Sequence, residues 1–237
     1  MGVVVLTTDT LHHAYFVREL SREATIDWVL LETSQLSAPF ETAHPYETRR
    51  EAHERAVWFD GASSCVGEFA ETWRVESVND GWVLDRLRKT DSTAVIVFGT
   101  GRLKLETIAA CGTNALNLHG GDTAGYRGLD SHLWAIYHRE YEALVTTLHK
   151  VNAELDRGDV VSQGRLAIHH GMELHELRRV NTEMCLRLTT NALRGVQKDR
   201  GMRGTPQSTR GRYYSHMPAV LKNICVDRFA AHTRTLP

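Results

Sequence analysis

Four short apolar runs, Val3–Thr7, Trp28–Glu32, Thr93–Phe98 and Ala115–Leu118, constrain the fold more than anything else in this chain. Runs of this length without alternation read as strands buried on both faces of a sheet. Between the first two, Thr10 is placed to cap a helix through Leu20, with Leu11, Ala14, Tyr15, Val17 and Arg18 on an imperfect apolar face. Strand, helix and strand in roughly thirty residues make a βαβ unit with a right-handed crossover. The expected class is α/β: a Rossmann-like, mainly parallel twisted sheet with helices on both faces.

The weaker elements fit that alternation. Arg74–Val78 reads as a short strand, and Asn79-Asp80-Gly81 as a turn capping a helix marked by Val83, Leu84, Leu87 and Arg88. Asp130 is placed to cap a helix whose face is Leu129, Leu133, Ile136 and Tyr137. Leu144–Lys150 is a strand, and Arg165–Ile168 ends the last one. Leu174, Leu177, Val180, Met184 and Leu188 form the stripe of a long amphipathic helix, and Pro218 permits a final helix carrying Val220, Leu221, Ile224, Cys225 and Phe229. Within Pro39–Phe69, the charges from Glu47 to Arg55 alternate in sign and read as a solvated helix, closed against the core by Val57-Trp58-Phe59. A helical insertion framing a substrate is the alternative there.

At 237 residues the chain can bury a substantial core, as one large domain or one domain with an appendage. With 42% apolar and 24% charged residues disorder is not indicated, and a net charge of −1 argues against non-specific nucleic-acid binding. Cys65, Cys111, Cys185 and Cys225 lack CxxC spacing and read as reduced intracellular thiols. The N-terminus turns polar at Thr7, too soon for a signal peptide or a membrane span, so a cytoplasmic protein is expected. The adjacent pairs His12-His13 and His169-His170 lack the separation of zinc ligands, and no metal is expected.

Chemistry concentrates after Ala115–Leu118. Asn117 and His119 stand two apart on a strand and face the same way. Asp156 follows a later strand, in a loop between Val151 and Val160. In an open α/β sheet an amide, an imidazole and a carboxylate from strand ends can converge. Singly, each residue has a plain structural explanation: a turn bond, a core histidine, a turn start.

Together they carry a resemblance. Asn117-x-His119, Arg127-Gly128 before a helix, and Glu154-Leu155-Asp156-x-Gly158 resemble the formyltransferases that use 10-formyltetrahydrofolate. These include the glycinamide ribonucleotide, methionyl-tRNA and nucleotide-sugar N-formyltransferases. The match from Asn117 to Gly128 needs no gap, and looser similarity runs from Val75 to Ile168. The resemblance implies the formyltransferase fold, with residues 1–190 as catalytic domain and 191–237 as a basic loop and helical extension. It implies Asn117, His119 and Asp156 as catalytic residues and 10-formyltetrahydrofolate as cosubstrate. Gly99, Gly101, Arg102 and Leu103, with Val151, Asn152, Ala153 and Leu155, would hold the cosubstrate by loop backbone; on its own, Gly99-x-Gly101 reads as a tight turn. Arg127, Tyr126 and Tyr213 would contact the amine substrate.

The residue types suit formyl transfer, an acyl transfer in which charge develops on the formyl oxygen. Asn117 can donate to that oxygen. His119 can either stabilise it or take the proton of the attacking amine, and the sequence leaves both open. Asp156 can orient the imidazole and pass protons. His149, on the strand before Asp156, is secondary. Many relatives follow the histidine with Pro-Ser-Leu-Leu-Pro, whereas Gly120-Gly121-Asp122-Thr123-Ala124-Gly125 stands here, giving the loop freedom at an entropic cost.

The amine is expected to belong to a nucleotide-linked sugar. The first turn, Thr7–His13, has no glycine, which tells against glycinamide ribonucleotide. The chain after Ile168 begins with a helix and is too short for the C-terminal barrel of the tRNA enzymes. The expected partners are a small molecule and a second copy of the chain, with no nucleic acid and no membrane. Arg194, Lys198, Arg200, Arg203, Arg210 and Arg212 face one acid, Asp199, in a segment that reads first as a solvated loop and second as an anion cradle. The competing functions are formylation of another small amine (amino-acid, hydroxylamine or glycinamide ribonucleotide type) and a non-catalytic folate-fold binding protein.

Overall fold

The computed structural model describes residues 2–34, 36–197 and 202–237. Its centre is a seven-stranded sheet. Gly2–Thr7 (β1), Thr25–Glu32 (β2), Thr72–Val75 (β3), Ala94–Val97 (β4) and Ala115–His119 (β5) run parallel in the order β3-β2-β1-β4-β5. Tyr126–Gly128 (β6) lies apart. Val145–Lys150 (β7) and Val160–Arg165 (β8) complete the sheet beyond β5, each antiparallel to its neighbour. The sheet is therefore mainly parallel, as expected, with a direction change at β7 that the apolar pattern does not reveal.

The period of two along each strand sorts the core onto two faces. Val3, Val5, Val29, Leu31, Ala94, Ile96, Leu116 and Leu118 join one cluster. It is covered by Leu11–Glu23 (α1), Ser131–His138 (α5), Leu177–Gln197 (α6) and Ala219–Thr233 (α7). Val4, Leu6, Trp28, Leu30, Val95, Val97 and Ala115 join the other, under Gly81–Lys89 (α3) and Leu105–Cys111 (α4). Both faces being covered is why these strands read as unbroken apolar runs. Residues beyond 190 reach the same core through Met202, Met217, Cys225 and Phe229, and Arg212–Tyr214 (β9) pairs in parallel with β6.

Several local expectations change. Thr10 precedes α1, but its hydroxyl bonds the rings of His12 and His13 instead of a helix amide. Asp130 precedes α5 in the left-handed region, and its carboxylate accepts the Met217 N–H at 2.8 Å. The last strand ends at Arg165 and does not continue to Ile168. The charged segment is a helix, Pro45–Phe59 (α2), yet it is not simply solvated. Glu54 is fully buried and holds Arg178 of α6 through two bonds of 2.6 and 2.5 Å. No described helix is long and apolar enough to cross a membrane.

Candidate active site

Asn117 and His119 share the parity of Ala115, so both leave β5 on the α3–α4 side. The antiparallel register sets His149 of β7 opposite Asn117, and facing residues of such a pair project to one side. Asn117 Nδ2 donates to His149 Nε2 at 3.1 Å and to Asp156 Oδ1 at 3.4 Å. The His149 Nδ1–H is given to the Lys150 carbonyl at 2.9 Å, so Nε2 is the bare nitrogen that accepts from Asn117. His119 is fixed the other way round. Its Nε2–H donates to the Tyr126 carbonyl at 2.9 Å, leaving Nδ1 bare and 3.6 Å from Asp156 Oδ2.

Asp156 reaches this cluster by an indirect route. Because β7 is antiparallel, its end at Lys150 lies beside Leu116, and the loop after it folds back over the sheet face. Gly158 makes that crossing possible, since a Cβ there would lie 1.6 Å from the Lys150 carbonyl oxygen. Asp156 itself has φ 55, a conformation that Asp tolerates better than most side chains, and the surroundings hold it there. Gly128 N–H donates to Oδ2 at 2.8 Å, and Gln207 Nε2 bonds the carbonyls of Asp156 and Gly158 at 2.9 and 2.7 Å.

Burial is the largest influence on His119 and lowers its pKa below 6.5, against the opposing charge of Asp156. The ring is therefore neutral at pH 7. Burial would raise the Asp156 carboxyl, but the charge of His119 and the Gly128 N–H hold it at about 2. At pH 7, where His119 is uncharged, the neutral donors around Asp156 keep it ionised. A bare imidazole nitrogen thus faces a carboxylate across a gap that lacks one proton. A proton arriving at Nδ1 would be stabilised there by Asp156.

A cavity of about 970 Å³ opens beyond the carboxyl ends of β1, β4 and β5, spanning the place where the strand order reverses. Gly99, Gly101, Arg102 and Leu103 line it, as do Val151, Asn152 and Leu155. Ala153 does not; its carbonyl accepts from Arg102 at 2.6 Å and ties the two loops together. Buried Glu32 at the end of β2 shapes the first loop by accepting the N–H groups of Gly101 at 2.6 Å and Val78 at 3.0 Å.

The residues expected to meet the amine substrate divide. Tyr213 is exposed and lines the cavity, with Arg210 nearby. Arg127 also lines it, but its donors go to the carbonyls of Gly211 at 2.7 Å and Leu155 at 3.2 Å, making it a clamp between loops. The Tyr126 ring is buried against Tyr214 and is not part of the wall; only its carbonyl serves the site, by fixing His119. Arg194 pairs with Glu23 beside Val3, at the amino end of β1 and away from the cavity. Lys198, Asp199 and Arg200 of the basic segment lie outside the described residues. Close approach explains Gly121 of the three glycines after His119, since a Cβ there would stand 2.8 Å from Ser131 Cβ and 3.0 Å from His119 Nε2, whereas one on Gly125 would meet nothing within 4 Å.

Sequence reasoning ranked His149 second, placed Arg50 only within the charged helix with its alternative of framing a substrate, and gave Glu32 and Arg178 no part in a site. A signal for His149 existed, namely a histidine on the strand that precedes Asp156. The other three are brought in by contacts distant in sequence, and no local pattern marks them.

No protein-family model matches the sequence. Solved structures do resemble it. The sugar N-formyltransferase of a Shewanella species superposes with a TM-score of 0.61 at 14% identity, over 97% of this chain and 87% of that one. Glycinamide ribonucleotide transformylase 1 from Symbiobacterium toebii gives 0.59 at 17% identity, over 88% and 94%. The formyltransferase PseJ from Anoxybacillus kamchatkensis, solved with UDP-4,6-dideoxy-4-formamido-L-AltNAc and tetrahydrofolate, gives 0.54 at 14% identity, over 91% and 86%. The order of strands about β1 and β4, the cavity beyond them and these superpositions lead to one structural conclusion: the chain has the formyltransferase fold.

Proposed function

We propose that this protein is an N-formyltransferase, moving the formyl group of 10-formyltetrahydrofolate to the amine of a nucleotide-linked amino sugar. The observation that carries the reading is the cluster of Asn117, His119 and Asp156 in a cavity walled by the Gly99–Leu103 and Val151–Leu155 loops. The residues fit the cosubstrate: Val97, Leu103, Val151 and Leu155 offer apolar walls for a flat ring, and the loop backbone offers its hydrogen bonds. The bound folate supplies an activated formyl carbon. The cavity has room for a second substrate beside it.

His119 acts as the base in this reading. Its Nε2–H is engaged with Tyr126, so a neutral ring has no free N–H for the formyl oxygen, whereas Nδ1 can take the proton of the attacking amine. Asp156 stabilises the imidazolium that results, and that ring would return the proton to the departing folate nitrogen as its bond to the formyl carbon breaks. Asn117 gives the formyl oxygen the N–H it now shares with Asp156, the longer of its two contacts. His149 positions Asn117 by accepting the other N–H.

The nucleotide-sugar assignment is supported by the UDP-sugar bound to PseJ and by the cavity's rim, where Tyr213 offers a stacking ring and Arg210, paired with Glu154 at the exposed surface, can exchange that partner for a phosphate. Consumption of formyl donor against a panel of amines tests it. A nucleotide amino sugar is expected to be the preferred acceptor, with a KM that rises with salt and on Arg210→Ala, while turnover at saturation changes little. A small free amine formylated equally well, with no response to salt, would assign the enzyme to another amine. No turnover with any amine would leave a folate-binding protein.

A further inference from the structure

The cavity has a second pole where α1, α2 and α6 meet. Five arginines line the cavity, and four are occupied. Arg102 bonds the Ala153 carbonyl, Arg127 bonds two carbonyls, Arg178 is held by buried Glu54, and Arg210 pairs with Glu154 at 3.5 Å. Arg50 differs. It projects from α2 over the Tyr46 ring, 5.6 Å from its centroid, and forms no hydrogen bond or ion pair among the described residues. Its Nε is buried without a partner. Burial, and then the neighbouring charge of Arg178, lower its pKa below the ordinary guanidinium value. The histidines at this pole contribute no charge at pH 7, since burial takes His13 to about 3 and His12 well below 6.5.

A half-desolvated guanidinium without an acceptor costs free energy, and an incoming anion recovers it. With Arg178 already held by Glu54, Arg50 is the cavity arginine left without a hydrogen-bonded partner among the described residues, and the Tyr46 face beside it supplies polarisable but uncharged surface. We propose that Arg50 binds an oxyanion group, phosphate or carboxylate, carried by the amine substrate at the α1–α2–α6 end of the cavity. The inference rests on the formyl-transfer reading for what the rest of the ligand is, but not for the anion itself. It gives α2 a function: the helix brings a cation to the acceptor side of the cavity.

Isothermal titration without folate or amine separates the two readings. Inorganic phosphate and succinate serve as probes against the wild-type chain, Arg50→Ala, Arg50→Lys and Arg194→Ala, with melting curves to confirm folding. The affinity of at least one probe is expected to fall about ten-fold or more in Arg50→Ala, the scale of a lost charge-assisted hydrogen bond. It should recover partly in Arg50→Lys and stay unchanged in Arg194→Ala. Binding of phosphate alone identifies a phosphorylated acceptor, and of succinate alone a carboxylated one. Failure of the wild type to bind either probe, or equal affinity in Arg50→Ala, would overturn the proposal. If Arg50→Ala does not fold, full wild-type affinity in Arg50→Lys would overturn it too, since one ammonium cannot reproduce a guanidinium fork. Anion binding that depends on Arg50 in a protein that formylates no amine would overturn the formyl-transfer reading instead and leave this one standing.

Discussion

At the scale of single residues, the site is decided by where two imidazole protons go. His119 gives its one N–H to Tyr126 and His149 gives its own to Lys150, so each presents a bare nitrogen toward the Asn117–Asp156 pair. His119→Ala and Asp156→Ala are each expected to lower kcat by at least 100-fold, on the order of the loss of one transition-state partner, with folate affinity largely kept. Near wild-type turnover in either variant would remove that residue's assigned role. The pH profile follows from the lowered pKa of His119. The base must be unprotonated, so kcat/KM should rise with pH through that pKa and level off. The acid limb therefore lies below 6.5, and Asp156, ionised above about 2, adds no second limb near neutrality. A limb centred above 6.5 would show that the ring is charged in its working state. The convergence of Asn117, His119 and Asp156 was legible because they stand at fixed positions in contiguous motifs. The role of Arg127 was not, because its two carbonyl partners come from loops distant in sequence.

At the scale of elements, strand direction was the feature hardest to read. An apolar run shows that a strand is buried, and nothing in Val145–Lys150 shows which way it runs. Yet the antiparallel direction places His149 opposite Asn117 and makes the following loop fold back to deliver Asp156. The capping residues failed for a related reason: Thr10 and Asp130 have the right chemistry for a helix start, but tertiary partners claim their oxygens. The folded-back loop can be tested at Gly158. An alanine there cannot coexist with the Lys150 carbonyl, so the loop must shift and carry Asp156 with it. A displacement of about 1 Å at a reacting group costs roughly 100-fold in rate. Gly158→Ala should therefore lose about that much turnover, whereas Gly125→Ala, whose added Cβ would meet nothing within 4 Å, should behave as wild type. Equal rates in the two variants would mean that the loop's path does not govern the site.

At the scale of the whole molecule, composition marks a change near residue 190, and packing runs across it. α6 continues to Gln197, while Met202, Met217, Cys225 and Phe229 enter the cluster that also holds Val5, Leu116 and Leu148. The connection extends to the chemistry. β9 pairs with β6, Gly211 accepts from Arg127, and Gln207 holds the backbone around Asp156. Residues after 190 thus support both the core and the carbonyl of Tyr126 that orients His119. Two variants distinguish a shared core from a dispensable extension. Phe229 is fully buried, and Phe229→Ala should cost about 3–5 kcal/mol and lower Tm while leaving one cooperative transition. A chain ending at residue 190 removes all of those side chains at once and uncovers the apolar faces of α5 and α6. It should show no cooperative melt and no folate binding. If that shorter chain instead melts cooperatively near the full-length Tm and binds folate with comparable affinity, residues 1–190 form an autonomous unit and residues after 190 are dispensable to the core.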